Sequence, residues 1–283
     1  MSIEAVVRAA RAEDKPAVIA FCQNTFSWGD YITETWDRWL ADVEGQMLVG
    51  LVEDKPVALV HVAFLGDGVA WMEGMRVHPD FRKRGVGSTL NAQACQVALE
   101  RGCQVARLVT SIKNIAAQSL LGRQGYQRTA QFNEWVAEPL RKKILHVRVG
   151  NPGDAANILT MWNASIARAA CDLLPDRHWH WSPLSESRTR QFIQAGELRL
   201  MDRGFCTLLA FDESDWNGLS LHALSGDVST MQELALAARG ETYYRGYEHT
   251  EAQLIDHHGI NAALENAGYR REGGLFLYEQ RLK

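Results

Sequence analysis

Apolar residues recur along the first part of the chain with spacings that alternate between those of strands and those of helices. The polar breaks between the runs, such as Glu53-Asp54-Lys55-Pro56 and Gly66-Asp67-Gly68, are typical of turns. The three consecutive strands that result predict a meander. In chain order the pattern predicts a strand at 3–9, a helix ending near residue 24, a helix at 33–43, and strands at 46–52, 57–64 and 69–77.

The pattern then changes to alternating helices and strands and starts again in the second half. Residues 139–143, with the sequence PLRKK, interrupt it and predict a linker. Before this linker we expect a helix at 86–101, a strand at 105–110, a helix at 114–123 and a strand region at 125–136. After it we expect strands at 146–149, 207–211, 218–223 and 241–247, and helices at 154–168 and 230–239.

Two segments half a chain length apart resemble each other. LLGRQGYQR and LENAGYRR both end a helical pattern, continue with Gly-Tyr (Gly125-Tyr126 and Gly268-Tyr269) and start a basic strand. Such self-similarity indicates a duplication. We therefore predict two domains, residues 1–143 and residues 144–283.

Composition and charge exclude several classes of protein. With 46% apolar and 23% charged residues the chain is typical of soluble globular proteins. A net charge of −4 argues against nucleic acid as the main partner, and no apolar run approaches the roughly 18 residues of a membrane span. The N-terminal segment is not a secretory signal, and the five scattered cysteines favour a reducing compartment. We expect a cytoplasmic protein.

The segment 75–88, MRVHPDFRKRGVGS, has the strongest chemical signal. Basic residues and glycines between a strand and a helix start favour anion binding, because exposed amides and the helix dipole attract negative charge. The absence of G-x-G-x-x-G disfavours a Rossmann site, and the absence of G-K-[ST] excludes a Walker loop. A basic surface turn and a loop for another phosphorylated ligand stay open as alternatives.

Two motifs resemble the GNAT family of N-acetyltransferases. Val77-His78-Pro79-x-Phe81-Arg82-x-x-Gly85-Val86-Gly87 with Leu90 is similar to the family segment V-x-P-x-[YF]-[RQ]-x-x-G-x-G-x-x-L, which binds the pyrophosphate of acetyl-coenzyme A. Asn114-x-x-Ala117-x-x-Leu120 through Gly125-Tyr126 is similar to N-x-x-A-x-x-L-Y-x-x-x-G-[FY]. The first half looks like a GNAT domain and the whole chain looks like a tandem GNAT protein.

This resemblance implies an α/β fold with two tandem domains, each a mixed central β-sheet flanked by helices. It implies acetyl-CoA as the acetyl donor, and direct attack of an amine on the thioester with a backbone N–H near Val77 at the thioester oxygen. It assigns to acetyl-CoA binding the residues Met75, Arg76, Val77, Arg82, Lys83, Arg84, Gly85, Val86, Gly87, Ser88, Asn114 and Ala117.

Glu73 is the candidate proton acceptor, in catalysis or substrate binding. Its neighbours Trp71, Met72 and Met75 predict a desolvated carboxylate on the central strand, able to accept a proton directly or through water. Strand alternation places Glu73, Met75 and Val77 on one face unless a bulge intervenes. The alternatives are a structural pair with Arg76 or a merely exposed carboxylate.

The chain departs from the family pattern at the residue that protonates the leaving thiolate. Many members have a tyrosine where this sequence has Leu121. A thiol has a pKa of about 8.5 and leaves tolerably without an acid. Ser119 or Tyr126 are the possible substitutes.

The second half lacks the glycine loop. After residues 219–223 it has Leu224-Ser225-Gly226-Asp227-Val228, without a basic triplet and with an acid where phosphates would lie. We predict that it keeps the fold and has lost acetyl-CoA binding. We expect no metal site: His178 and His180, in HWHW, lack a third ligand at fixed spacing, which favours packing or a pocket lid.

Three functions follow for comparison. The first is an acetyl-CoA-dependent N-acetyltransferase of a small amine or amino acid, since EGMRVHP (73–79) resembles GNAT members that acetylate free amino acids such as histidine. The second is a non-catalytic acyl-CoA-binding or regulatory module. The third is an acetyltransferase of a protein N-terminus or lysine. We expect no nucleic-acid or membrane partner, and a monomer or homodimer.

Overall fold

A computed structural model describes residues 4–25, 29–176, 178–213 and 216–283. By residue contacts the chain divides into two units, and neither is one continuous segment. The last strand contributes its end to the first unit and its beginning to the second. The first unit consists of Met1–Thr110, Asn114–Arg128 and Tyr278–Lys283, and the second of Ser111–Lys113 and Thr129–Leu277. The division into domains 1–143 and 144–283 stays a prediction.

The first half of the chain forms the elements β1 (Val6–Ala9), α1 (Lys15–Cys22), α2 (Ile32–Leu40), β2 (Gly45–Val52), β3 (Lys55–Phe64), β4 (Val69–Val77), α3 (Val86–Glu100), β5 (Val105–Ser111), α4 (Ile115–Arg123) and β6 (Gln127–Ala137). In the first unit β1 to β4 are an antiparallel meander and β5 runs parallel to β4. The end of the final strand borders β5. This mixed sheet packs against α1 and α2 through Val18, Trp36 and Val49.

The second half forms β7 (Arg148–Val149), α5 (Ala155–Asn163), α6 (Ile166–Ala170), β8 (Leu173–Pro175), β9 (Trp181–Pro183), α7 (Glu186–Gln194), β10 (Leu198–Met201), β11 (Gly204–Glu213), β12 (Trp216–Ser225), α8 (Val228–Arg245), β13 (His249–Ile255), α9 (His258–Asn266) and β14 (Arg270–Arg281). The sheet of the second unit has the order β14-β6-β13-β12-β11-β10-β7. Its β12 and β13 are parallel, as β4 and β5 are. The prediction of mixed sheets flanked by helices is confirmed.

Two predicted elements were wrong. The expected strand at 241–247 is the end of α8, because Leu234, Ala238 and Thr242 continue its buried face at helical spacing. Gly246 then ends the helix with a φ of +76°, the left-handed conformation that glycine adopts most easily. The expected helix at 154–168 is two helices, because the hydroxyl of Ser165 accepts a hydrogen bond from the Arg168 amide and starts a new one. The first three residues of the aromatic segment Phe26-Ser27-Trp28-Gly29-Asp30-Tyr31 lie outside the described residues.

The two halves repeat the same local structures. Tyr126 and Tyr269 each follow a left-handed glycine, and their amides donate to the carbonyls of Leu121 (3.1 Å) and Leu264 (2.9 Å), which is the Schellman ending of a helix. In each half an arginine of the first strand binds the aspartate of the following short 3-10 helix. These pairs are Arg8 with Asp14 and Arg148 with Asp154, both at 2.7 Å.

Candidate active site

The strands β4 and β5 separate towards their carboxyl ends. β4 pairs with β3 along most of its length, but its parallel pairing with β5 covers only Val69–Trp71 against Val105–Arg107. Beyond Trp71, β4 no longer pairs with β5. Backbone N–H and C=O groups are strong hydrogen-bonding groups that seek partners, so this part of β4 is suited to bind an extended ligand.

A β-bulge lies in the same part of β4. Gly74 and Met75 together oppose Val60, between the pairs Glu73 with His61 and Arg76 with Leu59. Gly74 has a φ of +65°, as in bulges that place a glycine in the left-handed region. The bulge re-aims the side chains that follow it.

Because this bulge intervenes, Glu73 and Val77 do not share the face that uninterrupted alternation would have given them. Glu73 contacts His61, whose ring stacks on Trp39 of α2. Val77 instead lies against α3, where a Cβ built on Gly87 would be 3.5 Å from its Cγ2. The extra residue of the bulge shifts the alternation by one position.

The predicted anion loop lies at the start of α3. Gly85, with a φ of +93°, is the residue before the helix and has no side chain to cap the first amides of α3. The Ser88 amide donates to the Gly85 carbonyl at 2.9 Å, so the amides of Val86 and Gly87 are the ones best placed for a ligand. Arg82, Lys83 and Arg84 are all exposed beside these amides, and Nε of Arg82 donates to the Val77 carbonyl at 3.0 Å. The loop thus combines backbone donors with positive side chains.

Asn114 and Ala117 start α4 together. The side-chain oxygen of Asn114 accepts a hydrogen bond of 3.1 Å from the Ala117 amide, which is an N-terminal cap. This contact gives both residues a structural role. Their assignment to acetyl-CoA binding stays a prediction.

The Glu73 carboxylate is partly buried, and its Oε1 lies 2.8 Å from Nδ1 of His61. The other ring nitrogen of His61 lies 3.2 Å from Oδ2 of Asp42, in the turn before β2. Sequence reasoning missed both partners. The sequence did hold a signal, since His61 is the one polar residue in the apolar run 57–64. A histidine in such a run is expected to be buried and to have polar partners.

Arg76 forms a buried ion pair on the same side of the sheet as Glu73. Its Nε and one terminal nitrogen donate to the two carboxylate oxygens of Asp30 at 2.7 and 3.0 Å, and its guanidinium lies 5.0 Å from the centre of the Tyr31 ring. Burial raises the pKa of the Tyr31 hydroxyl. The charge of Glu73 adds to this rise in the pKa, so Tyr31 lies near the Glu73 carboxylate.

The two candidates for the missing general acid have different surroundings. Tyr126 is buried, donates to Oδ1 of Asn91 at 3.3 Å and lies 3.7 Å from the Cys95 sulfur; burial raises its pKa well above the ordinary value. Ser119 is exposed and accepts from Arg123 at 2.7 Å. Because the phenol is buried and already hydrogen-bonded, Ser119 is the more accessible of the two.

In the second unit the equivalent space is filled. β12 and β13 pair only at Gly218–Leu221 against His249–Ala252, and their carboxyl ends enclose a cavity of about 10 Å³ lined by apolar side chains such as Phe132, Trp162 and Leu254. A carboxylate caps the following helix, because Oδ1 of Asp227 accepts from the Thr230 amide at 2.8 Å. This cap places negative charge at the helix start, where the corresponding helix of the first unit has no side-chain cap.

The histidines of HWHW do not form a ligand cluster. The rings of His178 and His180 are 6.2 Å apart, and Trp181 is buried in β9 while Trp179 is largely exposed. In the described ranges no group of three or more His, Cys, Asp or Glu side chains is arranged so that it could hold a metal ion. In the same ranges no helix is both long and apolar enough to span a membrane.

The comparisons with known proteins agree with this geometry. A model of the acetyltransferase (GNAT) family matches residues 13–126. This part of the chain is a GNAT-family domain. Histidine N-acetyltransferase of Scomber australasicus is 23% identical over 120 residues, which are 42% of this chain and 34% of that protein. The matched part thus spans only about a third of that relative.

Solved structures match the chain over its whole length. A GCN5-related N-acetyltransferase from Sphaerobacter thermophilus has a TM-score of 0.70 at 15% identity, covering 100% of this chain and 98% of that one. A tandem GNAT protein from the clavulanic acid biosynthesis pathway has a TM-score of 0.63 at 12% identity, with 99% of both chains covered. The whole chain therefore has the tandem GNAT fold that the sequence predicted.

Proposed function

We propose that this GNAT protein is an acetyl-CoA-dependent N-acetyltransferase of a small amine or amino acid, with one active site per chain, in the first unit. The observation that carries the proposal is the separation of β4 from β5 beyond Trp71. The part of β4 beyond its pairing with β5 runs from Glu73 towards the start of α3, so a thioester lying along it would have a proton acceptor at one end and an anion site at the other.

In this mechanism the diphosphate of acetyl-CoA binds the amides at residues 84–88 and the cations Arg82, Lys83 and Arg84. Met75 to Val77 line the thioester, and a backbone N–H near Val77 stabilises the charge that develops on its oxygen. Glu73 accepts a proton from the attacking amine, directly or through water. The thiolate of coenzyme A leaves and takes a proton.

The acceptor class follows from proton chemistry. An α-amino group has a pKa of about 7.7–8.0 and needs less help to lose its proton than a lysine, with a pKa of about 10.4, so one partly buried carboxylate suits it better. The name of the Scomber australasicus relative, a histidine N-acetyltransferase, supports an amino acid as the acceptor. The five cysteines are all free thiols, which agrees with a reducing compartment such as the cytoplasm.

The second candidate is a non-catalytic acyl-CoA-binding module. It is favoured by Leu121, which is buried where many family members have a tyrosine acid. Release of free thiol from acetyl-CoA, measured across amino acids, small amines and peptides, separates the candidates. Turnover with an amino acid or small amine supports the enzyme, turnover with peptides alone supports a protein acceptor, and tight binding without turnover supports the module.

A further inference from the structure

His61 is held between two carboxylates in the interior of the first unit. Its side chain is 1% exposed, against 16% for Glu73 and 28% for Asp42. Nδ1 lies 2.8 Å from Glu73, and Nε2 lies 3.2 Å from Asp42 as an ion-pair contact rather than an aligned hydrogen bond. Because an ionised carboxylate only accepts hydrogen bonds, the short contact requires the ring to carry a proton on Nδ1.

The surrounding residues fix the ring in this orientation. Trp39 stacks on it with centroids 4.8 Å apart and planes 3° from parallel. Beside the Nε2 atom, a Cβ built on Gly45 would lie 2.3 Å from Oδ2 of Asp42 and 2.6 Å from Nε2 of His61. Only glycine at residue 45 leaves room for the Asp42–His61 contact. Near the three side chains of Asp42, His61 and Glu73, the charged groups of Arg76 and Asp30 bind each other, and the Tyr31 ring lies beside Arg76.

We infer that His61 is a positioning residue for Glu73, held in turn by Asp42. The Nδ1–H of His61 donates to Oε1 of Glu73 and so holds the carboxylate in one orientation towards the amine. The hydrogen bond also favours the ionised carboxylate, which is the form that works as a base. This inference rests on the proposed function, because it assigns the orientation of that function's base.

The contacts that join Asp42, His61 and Glu73 predict how loss of the histidine changes the protonation and the orientation of Glu73. Without the ring donor, a carboxylate takes up a proton at higher pH, and it rotates more freely. We therefore expect His61→Leu to lower kcat about 10- to 100-fold and to move the acid limb of the kcat profile to higher pH. His61→Gln keeps a donor in the same region and is expected to recover part of kcat. The affinity for acetyl-CoA is expected to stay within about 3-fold of the wild-type value, because the anion loop is unchanged.

Asp14→Asn is the matched control, since it breaks another buried ion pair of the same unit, with Arg8. It should lower stability without moving the acid limb. A His61→Leu enzyme that loses activity but keeps the acid limb of the wild type would reduce His61 to a packing residue. Unchanged kcat would overturn the inference while leaving the proposed function in place.

A measurement without turnover tests the same geometry. In ¹⁵N NMR of the full chain with labelled histidine, the ring signals of His61 should show a proton on Nδ1, and Glu73→Gln should shift them. If that variant leaves the His61 signals unchanged, the contact is not formed in solution and the inference fails. Absence of turnover by the wild-type protein on every acceptor would instead count against the proposed function.

Discussion

Gly74 lies directly against the indole of Trp39, so closely that a Cβ on residue 74 would be 2.5 Å from two carbons of the ring. Gly74 is also left-handed, with a φ of +65°. One glycine therefore allows both the bulge of β4 and the packing of α2 onto it. The same indole stacks on His61, so the site and the core share a side chain.

We expect Gly74→Ala to lower the free energy of unfolding by about 2–4 kcal/mol, because left-handed strain and overpacking add. Urea denaturation measures this. Gly122→Ala is the control: that glycine is inside α4 with open space around its Cα, so the change should be neutral or stabilising by up to about 1 kcal/mol. Equal stability of Gly74→Ala and wild type would show that the bulge does not need glycine.

The anion loop is tested by two substitutions of Gly87. A Cβ here would make ordinary contacts, 3.5 Å to Val77 and 3.7 Å to Leu120, so Gly87→Ala should fold normally. Gly87→Glu adds bulk and negative charge at the start of α3 and should weaken acetyl-CoA binding more than about 10-fold. Isothermal titration calorimetry gives both affinities. Unchanged affinity of the glutamate variant would refute the phosphate-loop assignment.

The second unit is expected to bind no acetyl-CoA, so calorimetry should give a stoichiometry near one per chain. Asp227→Ala should leave this affinity unchanged while lowering the free energy of unfolding, because α8 loses its cap. A stoichiometry of two, or an affinity that depends on residue 227, would contradict the single site.

The stability of the second unit should depend on the ionisation of Glu251. Burial, and then the nearby Glu134 and Glu272, raise the pKa of Glu251 from 4.5 to about 8. The folded state therefore holds a proton that the unfolded chain loses first, so stability falls as pH rises from about 4.5 to about 8. We expect Glu251→Gln to remove this loss.

In chemical denaturation the Glu251→Gln variant should match wild type at about pH 4 and exceed it by about 1–3 kcal/mol at about pH 8.5. Glu265→Gln, at an exposed position of α9 and not among the causes of the raised pKa, is the control and should change stability by less than about 0.5 kcal/mol. A wild-type protein equally stable at the alkaline and the acidic end of this range would contradict the raised pKa.

Sequence reasoning reached the features that depend on neighbours along the chain. The glycine loop before α3, the helix that begins at Asn114 and the repeated Gly-Tyr helix endings follow from residue types at fixed short spacings. The error at 241–247 has the opposite origin: its aromatic residues favour a strand locally, and packing of the buried face of α8 overrides that preference. His61 was missed because its partners, Asp42 and Glu73, come from other elements.

The sequence by itself determined the GNAT resemblance, the duplication and the single glycine loop, since glycine and charge act through the backbone of their own segment. Only the tertiary structure decided which side chains meet at Glu73. The bulge at Gly74 shifts the alternation of β4, and the register of β3 brings His61 opposite Glu73. Strand pairing joins residues distant in sequence, and one inserted residue reverses the face of those that follow.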